Sequence, residues 1–256
     1  MKYFFFAFVF VASQSMAQPI VHPRAHAHND YEHARPLKDA LQNGFLSVEA
    51  DVHLKNEKLL VGHNQVSEKS PSLEQLYFKP LDSLLAIHKG SVYPNTKATF
   101  LLMIDIKTNA DTTYSSLKKL LDRYPKLKCT SAECPVKIFL SGNRPVETIL
   151  KEGYQGMALD GRPENLGQHF STELMPVISD TYYNWSKWNG KQPPAADDFT
   201  RIRELATRVH AEGKKLRLWA TPDNEMAWRA LLDAGVDLIN TDRLKELNEF
   251  LKKEGK

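Results

Sequence analysis

Several things are scarce or missing in this sequence. It has only two cysteines, Cys129 and Cys134, five residues apart and with no further soft ligands nearby. A closed zinc site needs four such donors, so none is expected there. In an oxidising compartment the pair fits a small surface disulfide better than two free thiols. No charge of one sign prevails: 34 Lys and Arg face 31 Asp and Glu, for a net charge of +3, and the signs are interspersed. Nucleic-acid binding would need a strongly basic face, so no such partner is expected. No internal repeat and no low-complexity stretch interrupts the chain. The glycine-rich phosphate loop of an open, doubly wound sheet is absent too. The first apolar run is followed instead by Ala27-His28-Asn29-Asp30-Tyr31.

Only one long hydrophobic run exists, at the start. Met1-Lys2 is followed by residues 3–12, almost wholly apolar and holding five Phe, then by small residues with Ser15 and Ala17 at the −3 and −1 positions of a cleavage site. The run is shorter than the roughly 20 residues a membrane span needs. It reads as a signal peptide over residues 1–17, cut after Ala17. The lack of a Cys after the cut argues against a lipid anchor. The expected product is a secreted or periplasmic protein with one domain over residues 18–256 and no transmembrane segment. A monomer is expected.

Eight short apolar runs fit strands, at 20–26, 46–52, 99–106, 136–141, 156–160, 175–179, 216–220 and 236–241. Between most of them lie stretches with helical spacing of apolar residues, at 37–43, 73–88, 112–124, 145–152, 199–212, 225–233 and 244–253. Residues 163–173 are poorly patterned. Strands alternating with helices imply a parallel sheet, and eight units in one domain imply closure into an α/β TIM (β/α)8 barrel. Residues 56–63 read as a hairpin after the second strand. The segment 184–198, with Tyr182, Tyr183, Trp185 and Trp188 in and beside it, is either a lid or an ordinary packed loop.

Polar side chains fall at the C-terminal ends of the strands, where a barrel places its chemistry. Alternation puts Glu49 and Asp51 on the inner face of the second strand, and Asp105 and Lys107 on that of the third. Two carboxylates on one inner face are costly unless something cationic joins them. Three of them suit one hard divalent cation, Mg²⁺ or Ca²⁺. Histidines end the first strand, His26 and His28, and His63 ends the hairpin. A pair of histidines flanking a metal-bound phosphate would supply an acid and a base.

In order and spacing these residues resemble the phospholipase C-like phosphodiesterases. Glu49-Ala50-Asp51, His63 and Asp105-Ile106-Lys107 are similar to the glycerophosphodiester phosphodiesterase branch. Asp105-Ile106-Lys107-Thr108 and His26-x-x-Asn29 resemble the sphingomyelinase D branch. Residues 26–51 are most similar to Aim6-type proteins, and Leu218-Trp219 and residues 235–242 fit the last two strands of the superfamily. The His-Arg-Gly motif of the glycerophosphodiesterases is absent, and Asn64 follows the second His. The resemblance implies a phosphoric diester hydrolase acting on a glycerophosphodiester- or phospholipid-type substrate. Glu49, Asp51 and Asp105 would hold the cation, and Lys107 would neutralise phosphate oxygens. His63 and one of His26 and His28 would move protons, with Asn29 and Trp219 contacting substrate. Nucleophilic water gives hydrolysis, whereas a substrate hydroxyl gives a cyclic phosphate first.

Two other readings compete. His26-x-His28 is also how amidohydrolases hold zinc, but those sites need further His on the middle strands, and 156–160 and 175–179 hold none. A barrel of this kind could instead only bind phosphorylated ligands. Asp160 and Arg162 would suit sugar hydroxyls on one wall.

Overall fold

The structure is a computed structural model that describes residues 19–94, 96–129 and 133–255, so the signal peptide expected at 1–17 lies outside the described residues. The strands are β1 (His22–Ala27), β2 (Phe45–Lys55), β3 (Lys58–Val61), β4 (Phe100–Ile106), β5 (Val136–Gly142), β6 (Met157–Gly161), β7 (Val177–Thr181), β8 (Lys215–Trp219) and β9 (Ile239–Thr241). Around the sheet they run β8-β7-β6-β5-β4-β2-β1-β9, and all these pairs are parallel. β8 and β9 meet through a parallel bridge between Arg217 and Leu238, where the amides of Asp237 and Leu238 both donate to Leu216 O. That contact closes the ring, and the expected (β/α)8 barrel is what the chain forms. β3 pairs antiparallel with the end of β2, as the expected hairpin.

Helices cover the outside: α1 (Lys38–Gln42), α2 (Lys79–Ile87), α3 (Ala110–Asp122), α4 (Val146–Glu152), α5 (Thr200–Ala211), α6 (Glu225–Asp233) and α7 (Leu244–Glu254). The helix expected over 73–88 is a π turn, Glu74–Phe78, leading into α2. Pro80 stands in the first turn of α2 and has no N–H to donate back to the preceding turn. Between β6 and β7 there is only the 3-10 turn Pro163–Asn165, in line with the poor patterning there.

Both faces of the parallel strands are buried, which explains why they read as apolar runs. Val48, Ala50, Val52, Ile104 and Leu140 point outward into one core with helix residues such as Leu117 and Leu121 of α3. Each fully buried Val, Leu or Ile contributes about 1.5–3 kcal/mol. Leu101, Met103, Phe139, Ala158, Val177 and Leu238 point inward and form a second cluster that fills the barrel. Asn109 caps α3 by accepting from Thr112 N at 3.1 Å, so the chain turns into its helix just after Lys107.

Cys129 and Cys134 form the expected disulfide. Around 182–188, Trp188 stacks edge-on against Phe199 at 5.5 Å and buried Tyr182 donates to Trp188 O at 2.9 Å, while Tyr183 is exposed. Among the described residues no helix is long and apolar enough to cross a membrane.

Candidate active site

The register between β2 and β4 sets Asp51 beside Asp105 and Glu49 beside Met103. Asp51 and Asp105 therefore sit side by side at the C-terminal mouth, with Glu49 one layer deeper. One oxygen from each of the three carboxylates lies within 4.8 Å of the others. Lys107 Nζ is 3.1 Å from Asp51 Oδ2 and 3.3 Å from Asp105 Oδ1. Asp51 Oδ1 is buried and accepts no hydrogen bond among the described residues. Burial, with repulsion from Glu49 and Asp105, pushes the Asp51 carboxyl up to about 6 against the pull of Lys107. Burial also raises Asp105, with Glu49 adding to it and Lys107 opposing. A buried oxygen without a donor, in a set of only hard carboxylate ligands, fits a divalent cation such as Mg²⁺ or Ca²⁺.

Glu49 is the one carboxylate of the three that already has a full counter-charge. Arg217 from β8 reaches across the barrel to its Oε2 at 2.8 Å, and His26 Nε2 stands 3.4 Å from the same oxygen. Burial opposes ionisation of Glu49, yet Arg217 and His26 outweigh it and hold the carboxyl at about 2. Both contacts use Oε2, so Oε1 is the oxygen left to face a cation. Arg217 was not among the residues singled out from the sequence. The parity that found Glu49 would have found it: Leu216 and Leu218 point out to the helices, which leaves Arg217 and Trp219 pointing in.

The histidines occupy different depths. His26 is fully buried, with Nδ1 2.6 Å from Ser47 Oγ. Burial and the neighbouring Arg217 charge lower it to about 4, so it is neutral near pH 7. His28 lies at the mouth with its side chain 36% exposed, and its Nδ1–H donates to Asp242 Oδ1 at 2.8 Å. That bond leaves Nε2 with its lone pair free of the carboxylate. His63 is exposed, with Nδ1 2.9 Å from Asn64 Oδ1. Its loop is tied to the metal strand, because Gly62 N donates to Asp51 O at 3.2 Å and His53 Nε2 to Gly62 O at 2.9 Å. His53 thus holds the His63 loop.

Asn29 adopts a left-handed backbone, φ 44°, which turns the chain back over the mouth. The hydroxyl of Tyr31 then reaches both Asn29 Oδ1, at 3.1 Å, and Asp51 Oδ2, at 2.9 Å. Burial and the Asp51 charge keep that phenol protonated. Further round, Asp160 accepts from Ser141 at 2.7 Å, Ser179 at 2.5 Å and Arg162 at 2.9 Å. Trp219 is half-buried at the end of β8, and the Arg162 guanidinium lies 5.0 Å from its ring centroid.

Comparison with known proteins places the chain in a family. The AIM6-like phosphodiesterase domain matches residues 14–155, and the glycerophosphoryl diester phosphodiesterase family matches residues 215–245. "Altered inheritance of mitochondria protein 6" of Eremothecium gossypii is 31% identical, over 89% of this chain and 69% of that protein. The protein of the same name from Lachancea thermotolerans is 30% identical, over 89% of this chain and 65% of its own length. A homolog from Arthroderma benhamiae is 27% identical, over 85% and 80% respectively. The chain thus spans about two thirds of the first two relatives. A crystal structure of glycerophosphodiester phosphodiesterase from Agrobacterium tumefaciens superposes with a TM-score of 0.48 at 14% identity, over 90% of this chain and 99% of that one. The first of these matches covers more than half of the chain, including Glu49, Asp51, Asp105 and Lys107, and the chain belongs to the AIM6-like phosphodiesterase domain family.

Proposed function

We propose that this protein is a metal-dependent phosphoric diester hydrolase for a small glycerophosphodiester- or phospholipid-type substrate, working outside the cytoplasm as a monomer. The observation that carries this reading is the buried Asp51 Oδ1, which has no donor among the described residues, within a three-carboxylate cluster at the mouth of the barrel. Glu49, Asp51 and Asp105 would hold one Mg²⁺ or Ca²⁺, which when bound supplies positive charge to the phosphate oxygens as they become more negative in the transition state. Lys107 adds a second positive charge from the same side.

His28 and His63 are the acid and base. Asp242 fixes the ring of His28 and stabilises the imidazolium that forms when its Nε2 takes a proton, so His28 suits the base. It takes that proton from the nucleophilic hydroxyl, of water or of the substrate itself, as the new P–O bond forms. Protonated His63 gives its proton to the departing alkoxide oxygen as the old P–O bond breaks. His26 is sealed beneath Glu49 and acts on the site by holding that carboxylate.

The test is hydrolysis of bis(p-nitrophenyl) phosphate by the chain from residue 18 onward, with Mg²⁺, with Ca²⁺ and with EDTA, alongside Glu49→Ala and His63→Ala. Metal-dependent release of nitrophenol, lost in both variants, is the expected result. No turnover together with no calorimetric signal for either ion would defeat the proposal. Metal binding with no turnover of any phosphodiester would leave a barrel that only binds phosphorylated ligands.

A further inference from the structure

The wall that continues from the candidate metal ligands across β5 to β6 carries more guanidinium than carboxylate. Arg162 is pinned to Asp160 Oδ2 at 2.9 Å and to Gly161 O at 2.8 Å. Arg144 bonds to Asp160 O, and its own Nε is buried without an acceptor among the described residues. The two guanidiniums are close enough to repel each other. This wall adjoins the metal site: Asp105 pairs in register with Ser141, and Ser141 donates to Asp160 at 2.7 Å. Two strand spacings, about 10 Å, therefore separate Asp105 from the Asp160 backbone. Arg144 lies close enough to Asp105 to feel its charge, so its guanidinium reaches back across that gap.

The charges of the mouth can be followed group by group. Glu49 is matched by Arg217, and Lys107 stands between Asp51 and Asp105. Asp160 faces both Arg144 and Arg162. These four carboxylates and four cations cancel, so a divalent ion leaves the mouth with two positive charges. A phosphodiester monoanion neutralises one of them. Glu164 and Asp242 lie at the rim, but both are exposed and their charges are screened by solvent; half-buried Asp223 beside them is bonded by Trp228 Nε1 and Asp242 N and has the Arg243 guanidinium next to it. The aromatic surface points the same way. A cationic head group would seek a face of Trp219, and Arg162 already occupies one at 5.0 Å.

We infer that the substrate carries a second anionic group, a carboxylate or phosphate, on the alcohol esterified to the reacting phosphate, and that Arg162 and Arg144 receive it. This rests on the phosphodiesterase reading and names the substrate class of the same site. Guanidinium forks suit either anion through paired N–H donors.

The experiment measures calorimetric binding of four small phosphate monoesters to the chain from residue 18 onward in Mg²⁺. They are glycerol 3-phosphate with a neutral head, phosphocholine with a cationic one, 3-phosphoglycerate with a carboxylate and glycerol 1,3-bisphosphate with a second phosphate. One or both anionic probes should bind at least tenfold more tightly than the first two, and the better of them identifies the anion. Arg162→Gln should shrink that gap to about twofold, and Arg144→Gln should narrow it in part, with circular dichroism confirming that both variants fold. Equal affinities, tighter binding of phosphocholine, no binding of either anionic probe, or a gap unchanged in both variants would each overturn the inference. Hydrolysis of bis(p-nitrophenyl) phosphate is run in parallel. Metal-dependent turnover without anion preference removes the specificity claim alone, whereas loss of both metal binding and turnover removes the phosphodiesterase reading as well.

Discussion

The hydroxyl of Tyr31 lies 2.9 Å from Asp51 Oδ2, the same oxygen that Lys107 approaches at 3.1 Å. Two donors on one carboxylate oxygen fix the group in one orientation and leave buried Oδ1 as the atom presented to a cation. Groups that orient a metal ligand typically matter 10–100-fold in affinity. Tyr31→Phe keeps the ring and removes the bond, and Lys107 still holds Oδ2. The expected result is about a tenfold weaker Mg²⁺ or Ca²⁺ dissociation constant by calorimetry with the melting temperature little changed. An unchanged constant would mean that Lys107 alone orients Asp51.

The buried Glu49–Arg217 pair carries a second prediction. Glu49 is held at about 2 against an ordinary 4.5, so the folded state binds its proton more weakly than the unfolded state does. Its contribution is complete above about 4.5 and is lost as pH falls toward 2. Arg217→Met leaves a buried carboxylate unpaired, which typically costs about 3–5 kcal/mol. Urea unfolding at pH 7 in EDTA should show a loss of that order. Adding Glu49→Gln to Arg217→Met should restore part of it, because the lone charge is then gone. If the single variant is as stable as the parent, the pair is structurally dispensable.

The barrel was legible because its strands are apolar on both faces and the helices between them are amphipathic. The carboxylate cluster was legible because parity converts Glu49, Asp51 and Asp105 into one inner face. Arg217 escaped because it lies within a strand that reads as plain core, although the same parity applies to it. The roles of His26 and His28 could not be separated along the sequence, since residues two apart share a face. Depth separates them: one lies beneath Glu49, the other beside exposed Asp242. Tyr31 reaches Asp51 only because Asn29 turns left-handed, and the Arg162–Trp219 contact joins β8 to the loop after β6. Neither contact has a local spacing that announces it.

Asp30 gives a prediction about stability. Leu37 adopts φ 60°, ψ −47°, the strained conformation of a classic γ-turn closed by Lys38 N on Pro36 O. Asp30 Oδ2 anchors it, accepting from Leu37 N at 2.6 Å and Tyr77 OH at 2.8 Å, while Oδ1 is buried and has no hydrogen-bond partner among the described residues. Burial raises this carboxyl from 3.8 to about 6. The folded state therefore binds the proton more tightly, so this group's contribution is greatest below about 4 and declines as pH rises through 6. Asp30→Asn keeps an acceptor for both donors and should flatten the pH dependence of urea stability between 4 and 6. The same slope in both proteins would show that Asp30 titrates normally.

His26 and His28 should fail in different ways when removed. His28 has its Nδ1–H on Asp242, so His28→Ala removes a base without touching the carboxylate cluster. General acid–base groups typically contribute about 10²–10⁴-fold. A fall of that size in kcat/KM for bis(p-nitrophenyl) phosphate is expected, with the metal dissociation constant within about threefold of the parent. Asp242→Asn should lower the rate less than His28→Ala does, because the ring stays in place but loses the carboxylate that orients it. His26 is fully buried and bonded to Ser47 and Glu49, so its loss must act through the ligand it holds. His26→Ala should weaken metal binding and stability together, and added Mg²⁺ or Ca²⁺ should recover part of the rate. If metal rescues His28→Ala and not His26→Ala, the two roles are reversed.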